Sequence, residues 1–222
     1  MIAVGGAGAA QALDIASSAQ GWANDTGAPQ FFAYTNGAAD GNNTFTGNEF
    51  GGRFNSWAAF DIPVGVYTTV QLELALNFYG DVIGDQIGVY DVSTAYAVFE
   101  NGTTSDDSTY IDLGSGSNYG NFFALNGNIF TITLGGNALA DVNSAAGGKF
   151  LIGFTNLTKN ATPSGDLQDD GVYTNGSSVG SPVLRLDGAA AVPEPGAWAL
   201  MILGFGAAGS MLRARRRAAA TA

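Results

Sequence analysis

The clearest pattern in the chain is "VQLELALNF", residues 70–78. Val70, Leu72, Leu74, Leu76 and Phe78 alternate with Gln71, Glu73, Ala75 and Asn77. That is the two-residue period of a strand with one buried face; a helix would scatter the leucines around its circumference. Shorter apolar runs predict further strands: "QFFAYT" (30–35), "SWAAFDI" (56–62), "QIGVYDV" (86–92), "AYAVFE" (95–100), "TYIDL" (109–113), "NFFAL" (121–125), "IFTITL" (129–134), "KFLIGFT" (149–155) and "VLRLD" (183–187). Turn-rich stretches such as "GDVIGD", "NGTTSDDS", "GSGSNYG" and "SGDLQDDG" separate them. Asn126-Gly127, between two apolar runs, predicts a tight hairpin. Only "NALADVNSAA" (137–146) suggests a helical turn. Short strands at this spacing predict an all-β, jelly-roll-like antiparallel β-sandwich over residues 13–186. A β-solenoid would need a fixed repeat period, and none is visible.

The pattern changes after Leu186. "DGAAA" (187–191) is a short linker. Val192-Pro193-Glu194-Pro195 follows, and two prolines two apart force an extended, exposed backbone. Residues 196–212 then run for 17 positions without a charge. This predicts a single C-terminal transmembrane helix at the lower limit of a bilayer span, softened by Gly204, Gly206 and Gly209. Trp198 suits the outer interface, and Arg213, Arg215, Arg216 and Arg217 set the topology by staying in the cytoplasm. Residues 218–222 form a short tail.

At the other end, Ala10-Gln11-Ala12 has the small-x-small form of a signal cleavage site. No Lys or Arg precedes Arg53 to make a charged leader. Residues 1–12 are expected to be a truncated signal peptide; the other reading is a flexible leader of small residues.

Composition narrows the chemistry. The chain of 222 residues is 46% apolar, with 33 glycines and neither Cys nor His. Disulfides, zinc–thiolate sites, thiol nucleophiles and histidine-based triads are therefore excluded. The net charge of −11 hides a split: up to Glu194, 19 acids face four basic residues, a net −15, and the tail adds four arginines. A body this acidic repels nucleic acid and anionic surfaces, while it tolerates cations and neutral sugars.

Three acids cluster in "SGDLQDDG": Asp166, Asp169 and Asp170. Carboxylates in a Gly-flanked loop can bind a structural Ca²⁺, or can simply be solvated. Their spacing does not match the EF-hand. Tyr119 and Tyr173 lie in turn-rich segments and are expected as exposed rings on which sugars could stack, whereas Trp57 lies inside a strand and suits the core. Catalysis by a carboxylate pair, as in a secreted glycoside hydrolase, is the alternative function. Acids on turns are more often solvated, so no catalytic residue is assigned and the chain is expected not to be an enzyme.

Two resemblances add to this reading. "RFNSWAAFDIP", "VQLELALNF" and "ALADVNSAAGGKFLIGF" together resemble exported jelly-roll domains of the carbohydrate-binding-module type, over residues 50–160. The tail closely resembles the PEP-CTERM sorting signal of Gram-negative bacteria in its Pro-Glu-Pro-x-x-Trp-Ala form: Pro193, Glu194, Pro195, Trp198 and Ala199, then the apolar run and the arginines, within residues 192–217. Such tails are also labelled the C-terminal domain of ice-binding proteins, which implies no ice binding here. The resemblance implies export, transient retention in the inner membrane, and processing at Pro193-Glu194-Pro195 by an exosortase, a membrane cysteine transpeptidase. Delivery to the cell surface or extracellular matrix follows, often in strains that make exopolysaccharide and biofilm. The chain would be the substrate in that step, and its body a structural or carbohydrate-binding component.

Overall fold

The computed structural model describes residues 12–25, 34–35, 44–49, 51–101, 107–125, 129–161, 169–174, 180–190 and, in the C-terminal region, 202–207, 209, 211 and 213. The strands are β1 (Leu13–Ala16), β2 (Ala19–Asn24), β3 (Tyr34–Thr35), β4 (Phe45–Glu49), β5 (Gly52–Asp61), β6 (Gly65–Ala75), β7 (Asn77–Tyr79) and β8 (Gln86–Asp91), then β9 (Asn118–Phe123), β10 (Ile129–Thr133), β11 (Lys149–Asn156), β12 (Asp170–Tyr173) and β13 (Val183–Ala190). The helices are α1 (Tyr96–Asn101), α2 (Ser108–Asp112), α3 (Ala138–Ser144) and α4 (Leu157–Asn160). Among the described residues all strand pairs are antiparallel. One sheet runs β1-β13-β6-β10; the other runs β7-β12-β4-β5-β11-β8-β9, with β2 and β3 attached through β5.

The alternating stretch at 70–78 holds the two sheets together. Val70, Leu72, Leu74 and Leu76 are buried, as its period requires. Strand β6, which carries the first three, lies between β13 and β10. The stretch is nevertheless two strands: past Leu76 the chain enters β7, which pairs with β12 in the other sheet. One apolar face thus serves both sheets. The main buried cluster joins Leu72, Leu74, Leu184 and Leu186 from the first sheet to Phe60, Ile87, Ile152, Phe154 and Val172 from the second.

A second buried cluster lies on the other side of β5 and β11. Trp57 and Ala59 of β5 and Leu151 of β11 pack there with Ala19 and Ala23 of β2, Phe99 of α1 and Leu113 just after α2. Trp57 is in the core, as expected, with its ring 4.7 Å from that of Phe99.

This layer corrects two expectations, since 95–100 and 109–113 are helical where strands are predicted. Runs of five or six residues cannot separate the two periods. What decides is the surface to be covered: in α1, Tyr96 and Phe99 are three apart, and around α2 the buried Thr109 and Leu113 are four apart, so each pair lines one helical face. The Asp112 carboxylate ties the end of α2 to the segment just before α1, accepting from Ser93 Oγ at 2.6 Å and from the Thr94 amide at 2.8 Å.

Two further expectations change. Asn126-Gly127 lies outside the described residues, but it does not join hairpin partners: β9 pairs with β8, and β10 pairs with β6 in the opposite sheet. The connection crosses between sheets. Residues 187–190, expected as the start of a linker, extend β13 to Ala190, which pairs with Gly65. The helical turn expected at 137–146 is present as α3.

The helical layer comes close to the sheet at Gly153 of β11. A Cβ there would lie 2.8 Å from Leu113 Cα and 2.9 Å from its carbonyl carbon, too close for backbone atoms that cannot swing aside. We expect Gly153→Ala to destabilise the fold by about 1–3 kcal/mol, the usual cost of overpacking, as measured by the urea midpoint. The Trp57 emission should shift as Leu113 is displaced.

Candidate functional site

Of the three clustered acids, Asp166 lies outside the described residues. Asp170 opens β12 and is 2% exposed. A carboxylate buried this deeply needs a counter-charge or strong hydrogen bonds. The counter-charge is Lys159 of α4, whose Nζ donates to Asp170 Oδ2 at 2.7 Å and lies 3.8 Å from Asp85 Oδ2. The same Nζ donates to the Asp81 carbonyl at 3.4 Å. Asn156 holds the group together. Its Nδ2 donates to Asp85 Oδ2 at 2.8 Å, while its Oδ1 accepts from the Lys159 amide at 3.0 Å and caps α4. Gly80, at φ +77°, makes room: a Cβ there would strike the Asp170 side chain and come within 2.8 Å of the Asp169 carbonyl oxygen.

Burial pushes the Asp85 carboxyl up, against the pull of Asn156 and Lys159. Asp170 Oδ1 and both side-chain atoms of Asn48, its partner in register, make no hydrogen bond among the described residues. Of these atoms, the two oxygens, Asp170 Oδ1 and Asn48 Oδ1, could ligate a metal. A cation placed on them would face the charge of Lys159 across the same carboxylate, which opposes binding. Among the described residues no group of three or more acidic, His or Cys side chains is arranged to hold a metal. Both carboxylates are under a tenth exposed. The arrangement is a salt bridge that ties β12 to α4.

The aromatic candidates separate. Tyr119, expected as an exposed ring, is 2% exposed. The cause is a bulge: Val89 pairs with Gly120 but Tyr90 pairs with Asn118, so Tyr119 is the extra residue, and its side chain is turned inward. Its ring stacks on Phe150 at 6.1 Å, and its hydroxyl donates to Asp141 Oδ2 at 2.6 Å. Burial first, then Asp141, raises the Tyr119 hydroxyl far above its usual range. It lines an open depression of about 340 Å³ with Asp91, Asp141 and Lys149, and offers no ring face for stacking there.

Tyr173, in β12, is half-buried. It ends a run of touching rings, Trp22–Phe54–Phe45–Tyr173, with centroids 4.8, 5.5 and 5.1 Å apart. Across the strand pair, Tyr173 faces Asn77 and Gly171 faces Tyr79. Tyr173 and Tyr79 are therefore diagonal neighbours on one face, and Tyr79 is 43% exposed. Burial, then Glu49 and Tyr79, raises the Tyr173 hydroxyl. Burial and then Asp169 raise the Glu49 carboxyl. Sequence reasoning missed Glu49 because "FTGNEF", with a glycine at its centre, gives no strand signal. It also missed the roles of Asp85, Asn156 and Lys159, which are far apart in sequence.

The C-terminal candidates Pro193, Glu194, Pro195, Trp198, Ala199, Arg215, Arg216 and Arg217 lie outside the described residues. The chain divides into two compact units, 1–190 and 191–222. In the second, residues 202–207 are helical, and Arg213 is helical and exposed. Among the described residues no helix is long and apolar enough to cross a membrane.

Comparison with known families matches residues 191–217 to the PEP-CTERM protein-sorting motif. The chain carries this motif, which marks an exported protein targeted to an exosortase, sorted at the membrane and then delivered to the surface. No curated protein matches the chain.

Removing Lys159 would leave two buried carboxylates without their cation. Lys159→Met is expected to cost about 3 kcal/mol at neutral pH in chemical denaturation. A second expectation concerns pH. The folded-state carboxyl of Asp85 is raised above its usual 3.8, so the folded protein holds this proton more tightly than the unfolded chain. Its contribution to stability is thus fully present below the unfolded value and is lost as pH rises through the raised one. Stability curves of wild type and Asp85→Asn should show wild type gaining on the variant as pH falls towards 3.8. A gap independent of pH would contradict this.

Proposed function

We propose that this chain, as the bearer of a sorting motif at 191–217, is an exosortase substrate whose body is displayed at the cell surface or in an exopolysaccharide matrix. Residues 196–212 serve as a transient inner-membrane helix, with Arg213 and Arg215–Arg217 on the cytoplasmic side and the acidic body outside. Pro193, Glu194 and Pro195 are the residues the exosortase reads. The observation that carries this reading is the motif match; the order of turn, apolar run and arginines agrees with it.

The body acts after delivery as a structural or carbohydrate-binding, jelly-roll-like sandwich, without catalysis of its own. Two features support this part. The two sheets share one buried core and carry a half-exposed tyrosine pair. The buried acid pair has its charge taken up by Lys159.

Replacing Pro193-Glu194-Pro195 with alanines is expected to leave a longer form retained in the membrane fraction, seen by immunoblot of fractionated cells. Unchanged size and surface delivery would sink the proposal.

A further inference from the structure

The face made by β4, β12 and β7 has a composition that the sorting route does not explain. Tyr79 and Tyr173 stand diagonally on neighbouring antiparallel strands, with Asn77 opposite Tyr173. Side chains in that relation lie about 7–8 Å apart at their bases, within reach of one sugar unit and its neighbour. Tyr173 is backed by the Phe45 ring, which also covers the space a side chain at Gly171 would take. Tyr173 is thus held in place by Phe45, and Tyr79 presents 43% of its surface.

On β4, Gly47 faces Gly171, and Glu49 follows two positions on, along the same face. Every described cation of the body is engaged elsewhere: Arg53 on Asp25, Lys149 on Asp61, Lys159 on Asp85 and Asp170, Arg185 on Asp14 and Glu73. Among the described residues Glu49 has no ion-pair partner, and Asp169 lies near enough to repel it. A partly buried carboxylate without a counter-charge, beside two tyrosine rings, suits a ligand that brings both a sugar ring and a positive charge. Rings stack such a ligand through its C–H face and also attract an ammonium group, while the acid neutralises it. An anionic polymer would meet the net −15 of the chain up to Glu194. A neutral polymer would leave Glu49 as it is.

We propose that this face binds an amine-bearing glycan, its rings on Tyr79 and Tyr173 and an ammonium group against Glu49. The inference rests on the reading of the body as carbohydrate-binding and adds the ligand class. Calorimetry on the full-length chain tests it, with three probes in mildly acidic buffer: a glucosamine oligomer, its N-acetylated counterpart and a uronic-acid oligomer. The glucosamine oligomer should bind, and Tyr79→Ala and Glu49→Gln should each weaken it about tenfold, whereas Tyr79→Trp should retain it. The N-acetylated oligomer should bind more weakly and be indifferent to Glu49→Gln. Equal binding of acetylated and free-amine oligomers, still dependent on Tyr79, would overturn the amine assignment and leave the carbohydrate reading standing. Binding of none of the three would overturn both. Tight binding of the uronic-acid oligomer would overturn the charge argument.

Discussion

The burial of Val70, Leu72 and Leu74 on one face of β6 is the constraint on which the body depends. This strand hydrogen-bonds to β13 on one side and β10 on the other, and its continuation past Leu76 pairs in the opposite sheet. A one-residue slip would turn the leucines to solvent and bring Gln71 and Glu73 into the core. With no cysteine in the chain, no disulfide can hold the register instead. The apolar face must do so alone, and it is the longest unbroken alternation in the sequence.

That dependence explains what could be read from the sequence. Where a strand is held by its own side chains, the pattern shows it: β5, β6, β8, β10, β11 and β13 all fall on expected runs. Where a segment takes its form from what it must cover, the pattern misleads. The α1 and α2 residues look like short strands in isolation and are helices because Trp57 and Leu151 need covering. The β4 and β12 strands are held by neighbours, with Gly47 facing Gly171, and were invisible for that reason. Tyr119 depended on a single-residue bulge, a feature of the pairing between β8 and β9 that neither strand carries by itself.

The candidate sites divide along the same line. A cluster of acids is visible in sequence, but its electrostatic meaning is not, since the counter-charge on Lys159 comes from another element. Asp170 reads in sequence as a metal ligand or as a solvated loop acid; the structure buries its carboxylate in a salt bridge. Removing two charges from water is costly, and the mutual attraction offsets that cost only with good geometry and added hydrogen bonds. Asn156 supplies them, while capping the helix that carries the lysine.

Address and activity are also separable in physical terms. The sorting motif is one contiguous stretch, residues 191–217, and is legible from local sequence alone. The face of β4, β12 and β7 needs the opposite: Glu49, Asn77, Tyr79 and Tyr173 come from three strands and meet only after the sheet has formed. The residues of this face all belong to the first unit. A slip in the β12 register would dismantle the face and leave the address intact.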